Sequence, residues 1–167
     1  MTNTAASLGT GLGGQFSAQP TLTVGTDGIV CSFQIPQGSV TVKPQVFMCT
    51  GVKIHGAVTT ALTGGPVVYA YSLAYGHTAV SMATAEGTSF TTNPTTKAPR
   101  RVPLGFETYA AAAAVGILGS PAGIYMPFPD GVAVNPGEFV AVCAKNLGTV
   151  TTAGVITLHV TLTGYWV

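Results

Sequence analysis

Residues 154–166 read Gly-Val-Ile-Thr-Leu-His-Val-Thr-Leu-Thr-Gly-Tyr-Trp, and this stretch decides the fold class. From 156 to 163, apolar residues occupy every second position, and threonine and one histidine occupy the positions between them. A period of two with β-branched residues predicts a half-buried β-strand. We expect the side chains at 156, 158, 160 and 162 to face a core, and those at 157, 159, 161 and 163 to face away from it.

The same alternation recurs along the chain between turn signals. Asn135-Pro136-Gly137 predicts a β-turn, because proline presets φ at one central position and glycine supplies positive φ at the next. The run at 46–62 predicts a long strand with a bend at Gly51 or Gly56, since glycine inside a strand marks a bulge or a corner.

Three further segments carry predictions of their own. Asp27-Gly28 predicts a hairpin turn between strands at 21–25 and 29–35. Residues 86–103 are predicted to be a long irregular loop. Residues 109–118 include five consecutive alanines, which favour a helix by propensity. We nevertheless predict an extended segment, because glycine interrupts the run and no helix cap is present.

These patterns predict an all-β fold: an antiparallel β-sandwich or jelly roll of about eight strands. We expect a single domain at residues 15–167 and an extended N-terminal arm at residues 1–14. The arm is rich in glycine, serine and threonine without periodicity, and a tail of this composition is not ordered by itself. We expect a neighbouring subunit to hold it, with Leu8 and Leu12 as apolar contacts.

The composition is unusual in its low charge. Charged residues make up 7% of the chain, and the formal net charge is +1, whereas about 25% is typical of soluble domains. Such a surface is either solvated by threonine, serine and glutamine or covered by neighbouring subunits, and we favour the second explanation. Glycine, threonine and proline interrupt every apolar stretch before the roughly 18 residues of a membrane-spanning helix, so no membrane partner is expected.

Groups that carry chemistry are scattered. The three histidines (His55, His77 and His159) and the five acidic residues form no catalytic or metal-binding motif, and the three cysteines match no zinc spacing. We therefore expect no enzymatic activity, no metal ion and no cofactor. His55 and His159 are expected to point away from the core.

Two groups of residues are candidates for partner contact. Lys97, Arg100 and Arg101 form a small basic cluster that suits an acidic patch on a partner protein. It is too small to predict nucleic-acid binding. Tyr69 and Tyr71 lie on one face of a predicted strand and are expected to keep their hydroxyls near water or a partner. With Tyr75, they could alternatively form a carbohydrate-binding row.

Several segments carry a family resemblance: Arg101-Val-Pro-Leu-Gly105, Asn135-Pro-Gly-Glu-Phe-Val140, Ala144-Lys-Asn-Leu-Gly-Thr-Val-Thr-Thr-Ala-Gly-Val-Ile156 and the closing Gly-Tyr-Trp166. Together they resemble the C-terminal region of head decoration, or cement, proteins of tailed bacteriophages. The resemblance covers the C-terminal part of the chain, and the remainder only in overall character.

The resemblance implies a virion protein that attaches to the outside of an icosahedral capsid, bridges major capsid protein subunits and stiffens the shell. It also implies self-association, for which we expect a homotrimer in preference to a homodimer, and synthesis in the host cytoplasm. Two alternatives stay open. One is another virion component, such as a capsid jelly roll, a head-fibre base or a tail surface protein. The other is a carbohydrate-binding β-sandwich module.

Overall fold

The computed structural model describes residues 14–19, 24–25, 27–39, 43–80, 97–148 and 151–167. The predicted arm, apart from Gly14, lies outside the described residues, as do Leu8 and Leu12.

Two four-stranded antiparallel sheets make up the described structure. The first sheet has the order β1-β8-β3-β6, and the second has the order β2-β7-β4-β5. The strands are β1 (Gly14–Ala18), β2 (Asp27–Gln34), β3 (Phe47–Gly64), β4 (Val67–His77), β5 (Arg100–Tyr109), β6 (Ile124–Val134), β7 (Phe139–Asn146) and β8 (Thr151–Trp166). The prediction of an all-β, antiparallel sandwich is confirmed.

The strand pairing is nested. The first strand pairs with the eighth, the second with the seventh, the third with the sixth and the fourth with the fifth. These pairs belong alternately to the first and second sheets, so the chain resembles one long antiparallel hairpin that has been folded over itself. The two central pairs, β3 with β8 and β4 with β7, complete the sheets.

The core lies between the sheets and follows the predicted alternation. Ile156, Leu158, Val160 and Leu162 are at most 1% exposed, whereas the intervening side chains lie on the outer face, the face turned away from the other sheet. At one end of the core, the ring of Trp166 packs with the rings of Phe33 and Phe47 at centroid distances of 6.1 and 5.1 Å.

Two turn and bulge predictions are also confirmed. The Glu138 N–H donates to the Asn135 carbonyl at 3.0 Å, and Gly137 has a φ of 81°, as the second central residue of a type II turn requires. This turn carries the chain from β6 in the first sheet to β7 in the second. In β3, the register shifts between Cys49 and Gly51, which is the bulge expected at Gly51.

One other prediction is wrong and a second is wrong at one end, because contacts distant in sequence override local preference. Asp27 and Gly28 do not form a hairpin turn: they begin β2 and pair with Lys145 and Ala144. Residues 100–103 do not belong to a loop either, because they form the start of β5 and pair with β4. The part of that predicted loop at 86–96 lies outside the described residues.

The alanine-rich segment is neither helical nor a continuous strand. Tyr109 ends β5, and residues 110–118 form turns with an isolated bridge between Leu118 and Ala57. The segment lies alongside the C-terminal half of β3. The backbone amides of Val58 and Leu62 donate to the carbonyls of Ile117 and Ala113, each at 2.9 Å. The prediction of an extended segment is therefore wrong for most of its length.

Candidate interaction surfaces

The outer face of the second sheet is built from small residues beneath one long side chain. Ala74, Ala141 and Cys143 point away from the main core, yet each is fully buried. Arg101 on β5 donates from Nη1 to Ser72 Oγ at 2.8 Å and from Nη2 to Asp27 Oδ2. Since β4 and β7 separate β5 from β2, the Arg101 side chain must lie across both central strands. It thereby covers the small residues beneath it.

The Arg101–Asp27 ion pair is largely withdrawn from water. The Asp27 side chain is 7% exposed and that of Arg101 is 27% exposed. Removal of one partner from such a pair leaves the other charge partly buried without compensation, which is costly. Arg101 was predicted to contact a partner, but its guanidinium is engaged within the chain.

Lys97, a second predicted contact, is also engaged within the chain. Its ammonium lies 2.6 Å from Glu138 Oε1, and its backbone N–H donates to Thr78 Oγ1 at 3.0 Å. Glu138 Oε2 accepts from the backbone N–H and from Nδ2 of Asn135 at 2.9 and 3.0 Å. Burial alone would raise the pKa of Glu138, but these hydrogen bonds outweigh it and the pKa is lowered.

Arg100 is the exposed member of the predicted basic cluster. Its guanidinium carbon lies 5.8 Å from the centroid of the Tyr75 ring, a cation–π arrangement. The structure therefore brings Arg100 and Arg101 together at the start of β5 but gives them different surroundings.

The expectation that Tyr69 and Tyr71 contact water or a partner is corrected by the structure. Both rings point into the core and are at most 2% exposed. The alternate, outward positions of β4 hold small residues such as Ala70 and Ser72. The Tyr71 hydroxyl donates to Glu107 Oε2 at 2.8 Å. Neither tyrosine is available to a partner or to a carbohydrate.

Glu107 is a buried acid that sequence reasoning missed. Its Oε2 also accepts from the Tyr109 hydroxyl at 3.0 Å, while its Oε1 is buried without a hydrogen-bond partner among the described residues. Burial, followed by the charge of Glu107, raises the pKa of both Tyr71 and Tyr109. The alternation Glu107-Thr-Tyr109 places acid and phenol on one face of β5 and is a usable signal in retrospect.

His77 is fully buried at the end of β4. Its ring stacks on that of Phe139 with a centroid distance of 5.7 Å, and neither ring nitrogen has a hydrogen-bond partner within the described part of the chain. Burial, reinforced by the nearby charge of Arg101 and opposed by Glu138, lowers the pKa of His77 from 6.5 to about 4.

A cavity of about 240 Å³ opens on the outer face of the second sheet. It is lined by the Arg101–Asp27 pair and by Lys145, while Phe106 stands at its rim with 66% of its surface exposed. Phe106 and Arg100 both belong to β5, which is an edge strand of its sheet. Sequence reasoning missed Phe106, because a single exposed phenylalanine leaves no periodic signal.

The two central strands of the first sheet, β3 and β8, carry little charge and many threonines. Lys53 is the one charged residue in the sequences of β3 and β8. Hydroxyl pairs cross between the two strands: Thr59 with Thr157 at 2.9 Å, and Thr50 with Thr163 at 3.4 Å. As expected from the alternation, His55 and His159 lie on the outer face of these strands.

The described ranges contain no group of three or more histidine, cysteine, aspartate or glutamate residues placed to hold a metal ion. In the same ranges, no helix has the length and hydropathy needed to cross a bilayer. Comparison of the chain with family models, with curated proteins and with solved structures found no match.

Proposed function

We propose that this chain is a structural protein of a virus particle. In this proposal it attaches to the outside of an icosahedral phage capsid after synthesis in the host cytoplasm, and it cements neighbouring major capsid protein subunits.

The strand order is the observation that carries the proposal. Two four-stranded sheets with the orders β1-β8-β3-β6 and β2-β7-β4-β5 support our assignment of the sandwich as an eight-stranded jelly roll, in which the nested pairs would form two Greek keys. Jelly rolls form viral capsid domains and lectin domains. The strand order thus adds fold-level support to the resemblance carried by the segments that end β7 and begin β8.

The unequal charge of the two outer faces suggests how the surfaces are used. The threonine-rich face of the first sheet suits contact with further copies of the chain, because few charges need to be desolvated there. We infer a homotrimer formed in this way.

The edge of the second sheet suits the capsid contact. It presents Arg100 and Phe106 to solvent, and arginine and aromatic residues are enriched at protein interfaces. Arg100 would pair with an acidic group of the capsid protein, while Phe106 would fill an apolar pocket.

Sedimentation of the purified chain with expanded, undecorated capsid shells tests the proposal. The native chain should co-sediment saturably with the shells, and Arg100→Glu or Phe106→Ser should weaken binding roughly tenfold or more. Lys43→Glu and Val115→Ser are matched controls, since Lys43 is exposed outside this edge and Val115 is 64% exposed. Absence of native binding would reject the cementing role, and equal losses in the controls would reject the assigned contact.

A second candidate function, carbohydrate binding, is favoured by the position of Phe106 beside the cavity with Asp27 and Lys145. An exposed aromatic ring next to polar groups is an arrangement that can bind a sugar. Retention on immobilised glycans with elution by free sugar, and loss of retention in Phe106→Ser, would support this alternative. Assembly of shells by the chain alone would instead indicate a capsid subunit.

A further inference from the structure

Two histidines face each other across the central strands of the first sheet. The antiparallel register of β3 and β8 places His55 directly opposite His159. Their neighbours Ile54 and Val160 are fully buried in the core, so both imidazoles project from the outer face. Side chains directly opposite in an antiparallel pair have Cβ atoms about 4.5–5.5 Å apart, a separation that two imidazoles can bridge by binding one ion.

The position of His55 is restricted by a glycine. Gly123 precedes β6 and has a φ of 70°; a Cβ added to it would collide with Nδ1 and Cε1 of the His55 ring. The imidazole therefore lies directly against the Gly123 backbone, which limits the orientations it can adopt. His159 is exposed, so an ion from solvent can reach the pair.

We propose that His55 and His159 form a two-imidazole site for a divalent transition-metal ion, with water completing the coordination. Neutral imidazole suits Zn²⁺, Ni²⁺ and Cu²⁺, whereas Mg²⁺ and Ca²⁺ prefer oxygen ligands. The pair lies on the face that we assign to contact between copies, so an ion bound there would lie at or beside that contact; the binding measurement itself does not require the proposed role in a virion.

The groups around the pair set the expected pH and charge dependence. The flanking outward residues of β8 are Thr157 and Thr161, and Lys53 lies two positions from His55 on the same face of β3. Gly123 borders the pair on the third side. Metal binding requires both imidazoles to be neutral, and the Lys53 ammonium repels a cation. Binding should therefore weaken as the pH falls, and Lys53→Gln should bind the ion at least as tightly as the native chain.

Calorimetric titration of the full chain with Zn²⁺ alone, and then with Cu²⁺ alone, tests the site at about pH 7.5 and about pH 5.5. We expect one saturable ion per chain at the higher pH and at least tenfold weaker binding at the lower pH, since protons compete for the ligands. His55→Gln and His159→Gln should each weaken binding at least tenfold. Thr161→Val, on the same face, is the matched control and should bind normally.

A measurement on the native chain avoids reliance on the variants. Imidazole nitrogen resonances assigned to His55 and His159 should both shift on addition of Zn²⁺, while those of buried His77 should stay in place. No saturable binding, binding unchanged in both glutamine variants, or shifts confined to other residues would each overturn the assignment.

Discussion

Arg101 and Asp27 are separated by 74 positions in the sequence and by two intervening strands in the sheet, yet their side chains form an ion pair. The guanidinium also donates to Ser72, so one side chain links three of the four strands of the second sheet. The alanines and cysteine beneath it leave the space that this path requires. A residue predicted to bind a partner thus holds the outer face of its own sheet together.

Removal of either member of this pair should destabilise the fold. Asp27→Ala leaves a partly buried guanidinium without its carboxylate, and we expect a loss of about 2 kcal/mol in the free energy of unfolding, below the ~3–5 kcal/mol for fully buried pairs because Arg101 is partly exposed. Urea denaturation measures this loss. Arg100→Ala, the adjacent control, should change it by less than about 0.5 kcal/mol. Equal stability of Asp27→Ala and the native chain would contradict the role given to the pair.

The burial of His77 should make stability depend on pH. Its pKa falls from 6.5 to about 4 on folding, so the unfolded chain binds the proton first and stability decreases as pH falls from about 6.5 to 4. Below about pH 4, this pKa difference lowers the free energy of unfolding by about 3 kcal/mol relative to neutral pH. Thermal or urea denaturation across this pH range measures the effect.

A His77→Phe variant provides the comparison for that measurement. It keeps a ring against Phe139 and removes two buried nitrogens that lack partners among the described residues. We expect it to be about 1 kcal/mol more stable at neutral pH and to lose most of the dependence between pH 6.5 and 4. Protonation of Glu138, whose pKa is lowered from 4.5, removes stability only below that value. The same pH slope in both proteins would rule out His77 as its source.

Local patterns in the sequence were sufficient to predict the fold class. The alternation in β8 and the Asn135-Pro136-Gly137 turn each depend on neighbouring residues, and the structure confirms both. Asp27-Gly28 has an equally strong local preference for a turn, but Lys145, Ala144 and the Arg101 guanidinium hold the segment in a strand instead. Such partners are distant in sequence, so no local pattern reports them.

The predicted contact residues illustrate the same limit. Tyr69 and Tyr71 were placed correctly on one face of a strand, but alternation alone does not say which face is inward. The small residues between them, Ala70 and Ser72, mark the outward face once the path of Arg101 across it is known. Phe106 and Glu107 lie side by side, one exposed and one buried; the alternation places Glu107 on the same face as Tyr109 but does not say that this face is the inward one.

The tyrosine–glutamate cluster, formed by Tyr71, Tyr109 and Glu107, should lose stability when either hydroxyl donor is removed. Tyr71→Phe leaves Glu107 Oε2 with one phenol in place of two, and an undersatisfied buried acceptor costs about 1–3 kcal/mol. We expect Tyr109→Phe to lose a similar amount and the double variant to lose more than the sum, since the last donor to that oxygen is then gone. Tyr75→Phe, at the half-buried end of the same strand, should fall within about 0.5 kcal/mol of the native chain. Strict additivity in urea denaturation would show that the two phenols act on Glu107 independently.

Gly56 should be intolerant of any side chain, because the cluster is built against it. A Cβ at this position would collide with the Tyr109 hydroxyl and would lie 2.7 Å from Leu158 Cδ2 and 2.8 Å from Glu107 Oε2. All three groups belong to the packed core, so Gly56→Ala should cost about 1–3 kcal/mol or more through overpacking. Gly51→Ala is the milder comparison. A Cβ added there would lie no closer than 3.1 Å to its nearest neighbour, Thr163 Oγ1, which belongs to a half-buried side chain. Thermal denaturation should rank the native chain above Gly51→Ala and Gly51→Ala above Gly56→Ala. The reverse order of the two variants would mean that the bulge at Gly51, and not the cluster at Gly56, is the tighter constraint on β3.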